Sequence, residues 1–506
     1  MKALNKVLTG LCLLVGPWAA AQVSACSLNF TSPGYGASVT SSSITVFGQG
    51  GADVKDGDAG TVTATLNGTP FFNYSGSFTA AVNFLSSQGV GVTLRPGNNF
   101  LSVSGSAGSC SASDTMTVYF DPTVVLAKNL GKGNDDLSCH AASLTVAEPI
   151  STSIGNTYEE EQDYVGGGSF PLRFVRSYNS LQGYWISNYS SHLVITANAI
   201  VLVNADGQES PFSLNGTVAT ASLSERGTLI SKGSLWEYTS AQQEVFDFDT
   251  TGRLVKWTNV NGQSQQLSYA STGLVTVSGA GGNSFTFTQD RRYQPLTLAA
   301  PGFSVAYTYD ATARLTSVAK TQANTTLTRQ YLYENATYPR LLTGLVDERG
   351  VRVASWAYDD QGRAVSNEQA KGVGKVSLAY NADGSTTVTN ELKKQTTYRY
   401  QVIQGIKRIV AIKGEPTPNC PASNSTYTYN ERGQVLTKTD AKGVVTSYTY
   451  NGRGLETSHT DGAGVTVTTD WDATRFLPTK VTEPHRTISY TYDGQGRLVS
   501  QITAAK

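Results

Sequence analysis

From about residue 245 onward this chain repeats itself, and a recurrent unit constrains a fold more tightly than composition does. The clearest copy reads Tyr490-Thr491-Tyr492-Asp493-Gly494-Gln495-Gly496-Arg497-Leu498. The same frame returns at Phe248-Asp249 with Gly252-Arg253-Leu254, at Tyr309-Asp310 with Arg314-Leu315 and at Tyr358-Asp359 with Gly362-Arg363. It returns again at Tyr380-Asn381, Tyr429-Asn430, Tyr450-Asn451 and Trp471-Asp472. The last four aromatic anchors, Tyr429, Tyr450, Trp471 and Tyr492, stand 21 residues apart each time, so one structural unit is being copied.

The unit has a physical reading as a β-hairpin. In Tyr-Thr-Tyr-Asp the two tyrosines lie at i and i+2, on one face of a strand, where their rings can stack on the same positions of the next copy. The Asp or Asn opens a turn by accepting a backbone N–H two residues on, and Gly supplies the positive φ that closes it. Two strands of about six residues and two turns fill the period at ordinary strand lengths. Tyr309, Tyr358, Tyr380, Tyr429, Tyr450, Trp471 and Tyr492 are therefore expected to form the repeat core, because a residue needed by every copy generally belongs to the packing.

Composition agrees with an all-β chain. There are 50 Gly, 26 Tyr and 17 Phe against 2 Met, which favours short strands and tight turns over helices. Lys plus Arg and Asp plus Glu are 38 each, so no net field steers the protein onto nucleic acid or an anionic membrane. Partners must be recognised locally.

Residues 1–21 read as an export signal: Lys2 and Lys6, an apolar stretch from Val7 to Ala20, and Ala19-Ala20-Ala21 before Gln22. The mature chain is thus expected outside the cytoplasm by the Sec route, secreted or at the bacterial cell surface or periplasm, with no further transmembrane helix. Val23-Ser24-Ala25-Cys26 also resembles a lipobox, which would acylate Cys26; Gln22 interrupts the apolar run before it, so soluble export is the default. Without Cys12, four cysteines remain: Cys26, Cys110, Cys139 and Cys420. Oxidised pairing suits an exported protein, and three connectivities are possible. Cys26 with Cys110 is favoured, at the two ends of one compact segment, which leaves Cys139 with Cys420 to tie the linker to the repeats.

Residues 22–122 alternate with period 2, as in Ser43-Ile44-Thr45-Val46-Phe47 and Thr115-Met116-Thr117-Val118-Tyr119-Phe120, and turn residues fill the gaps, which predicts a β-sandwich. The opening Thr31-Ser32-Pro33-Gly34-Tyr35-Gly36 and the closing Phe120-Asp121-Pro122 resemble bacterial immunoglobulin-like surface modules. Residues 123–150 read as a polar, Gly-containing linker. Residues 151–244 form a separate β module, and residues 245–506 the array.

The module carries Gly155-Asn156, Tyr158, the acids Glu159 to Asp163 and Arg176-Ser177-Tyr178-Asn179 in that order. With the Tyr-Asp hairpins behind it, this resembles the Rhs and YD-repeat family over roughly residues 150 to 506. The resemblance implies hairpins coiled into a spiralling antiparallel sheet that can close as a shell around a C-terminal toxin. Here it implies a partial, unclosed shell, since only about ten repeats are recognisable and neither the family's self-cleaving core motif nor a toxin is read before Lys506.

Catalysis finds little support. His140, His192, His459 and His485 lie in no nucleophile or zinc motif and read as surface or turn residues. Cys139-His140 would point to opposite faces of a strand, so no metal pair forms there. Glu159, Glu160, Glu161 and Asp163 could offer a carboxylate pair for sugar hydrolysis, against the blander reading of a solvated strand face. Asp53, Asp56 and Asp58 fall short of a calcium loop. The expected role is an exported, non-enzymatic scaffold without cofactor or metal, its partner being the missing toxin or repeat unit. The alternative is a surface adhesin that binds a glycan or a protein.

Overall fold

A computed structural model describes residues 28–32, 37–39, 41–50, 58–77, 89–108, 110–132, 142–147, 149–279, 281–414, 424–494 and 496–506. Among these the chain is all-β, with single 3-10 turns at Leu126–Lys128 and Ala370–Gly372. No helix among the described residues is long and apolar enough to cross a membrane.

The N-terminal segment folds as two sheets sharing one core. Leu28–Ser32, Ser43–Gly50 and Val90–Thr93 make the smaller, and Ser38–Val39, Cys110–Phe120, Gly97–Ala107, Ala59–Leu66 and Thr69–Ser77 the larger. Period-2 alternation sends Phe30, Val46, Val62, Leu101, Val103 and Met116 inward, where each is almost fully buried.

After the Leu126–Lys128 turn, whose leucine is buried with Leu130 and Ile154, comes the module that precedes the repeats. Tyr158–Val165, Arg173–Asn179 and Tyr184–Ser187 form a three-stranded sheet. His192–Ile195, Ala199–Val203, Glu209–Asn215 and Val218–Ala221 form a four-stranded one. The chain then enters a single 26-stranded antiparallel sheet, from Thr228–Ser231 to Leu498–Ala505, in which spatial order follows chain order throughout and the ends do not meet as a barrel. Every connection is therefore a hairpin, the pairing a short-period repeat favours because each loop closes over few residues.

The module fills the inner face of the first part of this sheet. Phe174 packs edge-on against Phe285 and Phe287 at 5.9 and 5.2 Å between ring centres, Trp185 meets Tyr331 at 5.2 Å, and Tyr189 meets Phe285 at 5.6 Å. Edge-to-face pairs of this kind stabilise by about 0.5–1.5 kcal/mol beyond their buried area. One apolar core thus runs from Ile150 to Val388.

The sandwich docks on the row of turns along one rim of the sheet. Arg292 pairs with Asp114 at 3.0 Å, Arg291 donates to Asn29 at 2.6 Å, and buried Arg340 donates to the Thr115 hydroxyl at 2.7 Å. Arg95 reaches the Tyr338 hydroxyl and the Asp360 carbonyl. Cys26, Cys139, Cys420, His140, Asp53 and Asp56, together with the export signal and the side chain of Cys110, lie outside the described residues.

Candidate functional site

Each hairpin begins with the Asp or Asn after the anchor. Asp310 Oδ1 accepts the N–H groups of Thr312 and Arg314 at 2.9 and 3.0 Å, and its Oδ2 takes Arg314 Nε at 2.6 Å. Asp249 with Arg253, Asp359 with Arg363 and Asp493 with Arg497 repeat that geometry. Where Asn replaces Asp, as at Asn451, the backbone bonds persist and Gly454 takes φ 79° to close the turn. Burial raises the Asp310 pKa, but the hydrogen bonds and the Arg314 charge outweigh it and hold the carboxyl below its usual range.

A β-bulge lies at the anchor itself. Pairing slips between Thr428 and Tyr429, Thr449 and Tyr450, Asp470 and Trp471, and Thr491 and Tyr492, each anchor then facing the first residue of the following strand. A bulge disturbs the ladder and leaves a backbone group short of its partner. The next copy supplies one. Tyr450 donates its hydroxyl to the Val435 carbonyl at 2.7 Å, Trp471 its indole N–H to Glu456 at 2.7 Å, and Tyr492 its hydroxyl to Pro478 at 2.9 Å. Tyr309 to Pro295, Tyr380 to Ala364 and Tyr429 to Ile409 follow the same rule. Tyr358 reaches Leu342, which faces no bulge.

All seven anchors are half-buried, while the side chain two residues earlier is buried at Tyr307, Trp356, Leu378, Tyr427 and Tyr448 and half-buried at Thr469 and Tyr490. The anchors' shared bond is therefore hydroxyl or indole to backbone, one copy back. A second contact runs forward. Arg432 donates to the Gly452 carbonyl at 3.0 Å, Arg453 to Asp472, and Arg475 to Asp493 at 2.8 Å, while Arg253 and Arg363 lie 4.8 and 4.1 Å from the ring centres of Tyr269 and Tyr380. Neighbouring hairpins are coupled in both directions.

The acids of the module occupy no solvated face throughout. Glu160 is half-exposed beside Lys132, but Glu161 and Asp163 are buried. Fully buried Arg176 binds Asp163 through two nitrogens and Glu161 at 3.3 Å; Lys320 reaches Asp163 at 3.0 Å, and Arg329 reaches Glu161 at 2.7 Å. The hydroxyls of Tyr307 and Tyr331 close the cluster, and the Arg176 guanidinium lies 4.8 Å from the Trp185 ring centre. Burial opposes the Asp163 charge, yet Arg176 and Lys320 outweigh it and hold the carboxyl below its ordinary range. A general acid for sugar hydrolysis needs the opposite shift, so this pair joins the module to the repeats and is not arranged for acid catalysis.

His192 is half-buried and stacked on Tyr293 at 4.1 Å, its Nδ1 2.7 Å from the Ser190 carbonyl; burial pushes its pKa down. His459 sits 2.8 Å from Glu456. No group of His, Cys, Asp and Glu that could hold a metal occurs among the described residues.

Between the module and two distant parts of the sheet lies a cleft of about 610 Å3. Glu209, Tyr238 and Trp257 stand among its walls on the early side, Arg408, Tyr429 and Arg453 on the late side.

Comparison with known proteins matches residues 147–212 to a domain of unknown function, DUF6531, and residues 429–466 to the RHS repeat. Both matches are typical of Rhs and YD-repeat proteins. The matched repeat spans the bulges at Tyr429 and Tyr450, and the matched module contains Glu161, Asp163 and Arg176 of the buried cluster. No curated protein matches. Among solved structures, TcdB2-TccC3 without its hypervariable C-terminal region is similar at 11% identity and a TM-score of 0.38, over 91% of this chain and 26% of that one. The Photorhabdus luminescens Tc holotoxin pore is similar at 11% identity and a TM-score of 0.27, over 71% and 21%. The chain spans about a quarter of the length of those proteins, and at these scores the likeness carries no argument about activity.

The sequence found the anchors and the turn residues of the YD unit. It did not find the bulge, the backward hydroxyl bond or the Arg176 cluster. An arginine two places after Phe174 and two before Tyr178, on the same face of its strand as those two rings, was the available signal for the last.

Proposed function

We propose that this YD-repeat protein is an exported, non-enzymatic scaffold, a partial Rhs-like shell that presents or holds another polypeptide. The reading is carried by one observation: hairpins tied to each other by an aromatic donor in one direction and an arginine in the other, wrapped around a plugging module. Such coupling makes stiffness a property of the array, as in other repeat proteins. The buried carboxylates are consumed by cations, which removes the strongest candidate for chemistry. Residues 1–21, which read as an export signal, support a location outside the cytoplasm, and the resemblance of the N-terminal sandwich to immunoglobulin-like surface modules supports a role for it in attachment at the surface or to a neighbour.

Electron microscopy and small-angle scattering of the exported chain test the reading. A curved, elongated β-rich particle in the culture fluid or cell envelope is expected. A helical circular dichroism spectrum, or retention in the cytoplasm, sinks it.

A further inference from the structure

Two charged side chains in the cleft have no partner among the described residues. The Arg408 side chain makes no hydrogen bond, ion pair or ring contact with any described residue, and its Nε is buried. Gly433 lies against it, so closely that a Cβ there would stand 3.0 Å from that nitrogen. On the module side Glu209 has no partner among the described residues, and burial raises its pKa. A half-buried charge without any partner is costly; elsewhere Arg176, Arg292 and Arg329 pair with carboxylates, and Arg340 is held by the Thr115 hydroxyl and the Thr312 carbonyl. The side chains of Arg408 and Glu209 have neither kind of partner among the described residues, and both line this cleft.

The cleft's chemistry narrows what fits. Glu209–Asn215 and Leu235–Thr239 are paired on both sides, and beside Arg408 the second side of Ile406–Gly414 is taken by the Asn129 side chain at Lys407 and the Tyr429 hydroxyl at Ile409, so recognition falls to side chains. Amides and hydroxyls such as Asn204, Gln208, Ser210 and Gln242 both donate and accept, as sugar hydroxyls do. Phe246 and Trp257, stacked at 5.8 Å, add an aromatic patch. Lys128, Arg226, Arg408, Arg432 and Arg453 line it against Asp206, Glu209, Glu225 and Glu244, and five cations against four carboxylates match a single negative charge better than a phosphate dianion. The volume is that of an ordinary small-ligand site.

We propose that this cleft binds an acidic saccharide, with Arg408 pairing the carboxylate of a uronate residue and Glu209 hydrogen-bonding its ring hydroxyls. The scaffold would then hold a carboxylated glycan inside its curve. This inference does not rest on export or on shell assembly.

Calorimetric titration of the full chain with a panel of uronate oligosaccharides, and with the methyl ester of each, tests it. At least one acid should bind, and its uncharged ester should bind about 10- to 100-fold more weakly, the range for a charge-assisted hydrogen bond. Arg408→Gln should remove that preference while leaving ester binding and the melting temperature unchanged. Glu209→Gln should weaken acid and ester alike. The proposal is overturned if no uronate binds, if acid and ester bind equally, or if Arg408→Gln leaves the preference intact. Binding of an acidic peptide or inorganic phosphate in place of the sugars would overturn it as well.

Discussion

Tyr307 and Tyr490 hold the same place in their hairpins, two residues before the anchor, and differ in what lies over them. Tyr307 is buried against Phe174 and donates to Asp163, while Tyr490 is half-buried. The contrast extends to whole regions. Up to Val388 the inner face of the sheet is covered by the module, and the core is continuous. A small cluster of Ile409, Tyr427, Val435 and Tyr448, topped by Leu144, follows. Past Leu455 the buried hydrophobic residue is Ile488, and Leu498, Val499 and Ile502 are more than half exposed. One hairpin plan serves both regions, so local sequence sets the hairpin and a second layer sets how firmly it is held.

The strongest way to break this comparison is at Arg176. Arg176→Ala leaves Asp163 and Glu161 buried without their central cation and should destabilise the front region by about 3–5 kcal/mol. Denaturant unfolding would register it as a lower midpoint, and a loss below about 1 kcal/mol would show that the cluster does not hold the module.

Acid sharpens the same point. Because the Asp163 pKa is lower folded than its ordinary 3.8, its contribution is fully present above that value. It is lost only as pH falls through the lower, folded value. Hydrogen exchange at pH 7 and pH 4, corrected for intrinsic rates, should therefore show strands Phe303–Tyr309 and Thr325–Leu332 equally protected at both. At both, they should outlast strands Pro478–Thr482 and Leu498–Ala505. Equal protection of front and rear would remove the distinction.

Smaller effects belong to the repeat unit. Tyr450→Phe keeps the ring and deletes the donor to the Val435 carbonyl, and should cost about 0.5–1.5 kcal/mol. Faster exchange around Val435 and Tyr450, with the front unchanged, would mark the effect as local. The smallest change is expected at Leu498→Ser, within about 0.5 kcal/mol in a thermal melt, because that side chain is 54% exposed. A larger loss there would mean that the rear face is covered after all.

The sequence was most legible where contacts are local. Asp310 and Arg314 are four residues apart, and turn chemistry alone joins them. The anchors were legible as a group through their spacing, although stacking was expected and a bond from hydroxyl to carbonyl links them. Glu161 and Asp163 were harder, because alternating acids on a strand look solvated until another element covers them. Arg176 lies 155 residues from Tyr331, and nothing within its own strand announces that partner.

By itself the sequence determined an all-β chain, the period of its hairpins and the residues that turn each one, since these rest on interactions spanning a few residues. Tertiary structure alone decided which face of the sheet is filled, which acids are buried with cations, and where Arg408 and Glu209 come to share a cleft. Those outcomes depend on the curvature accumulated over many strands, which brings together residues that no local pattern relates.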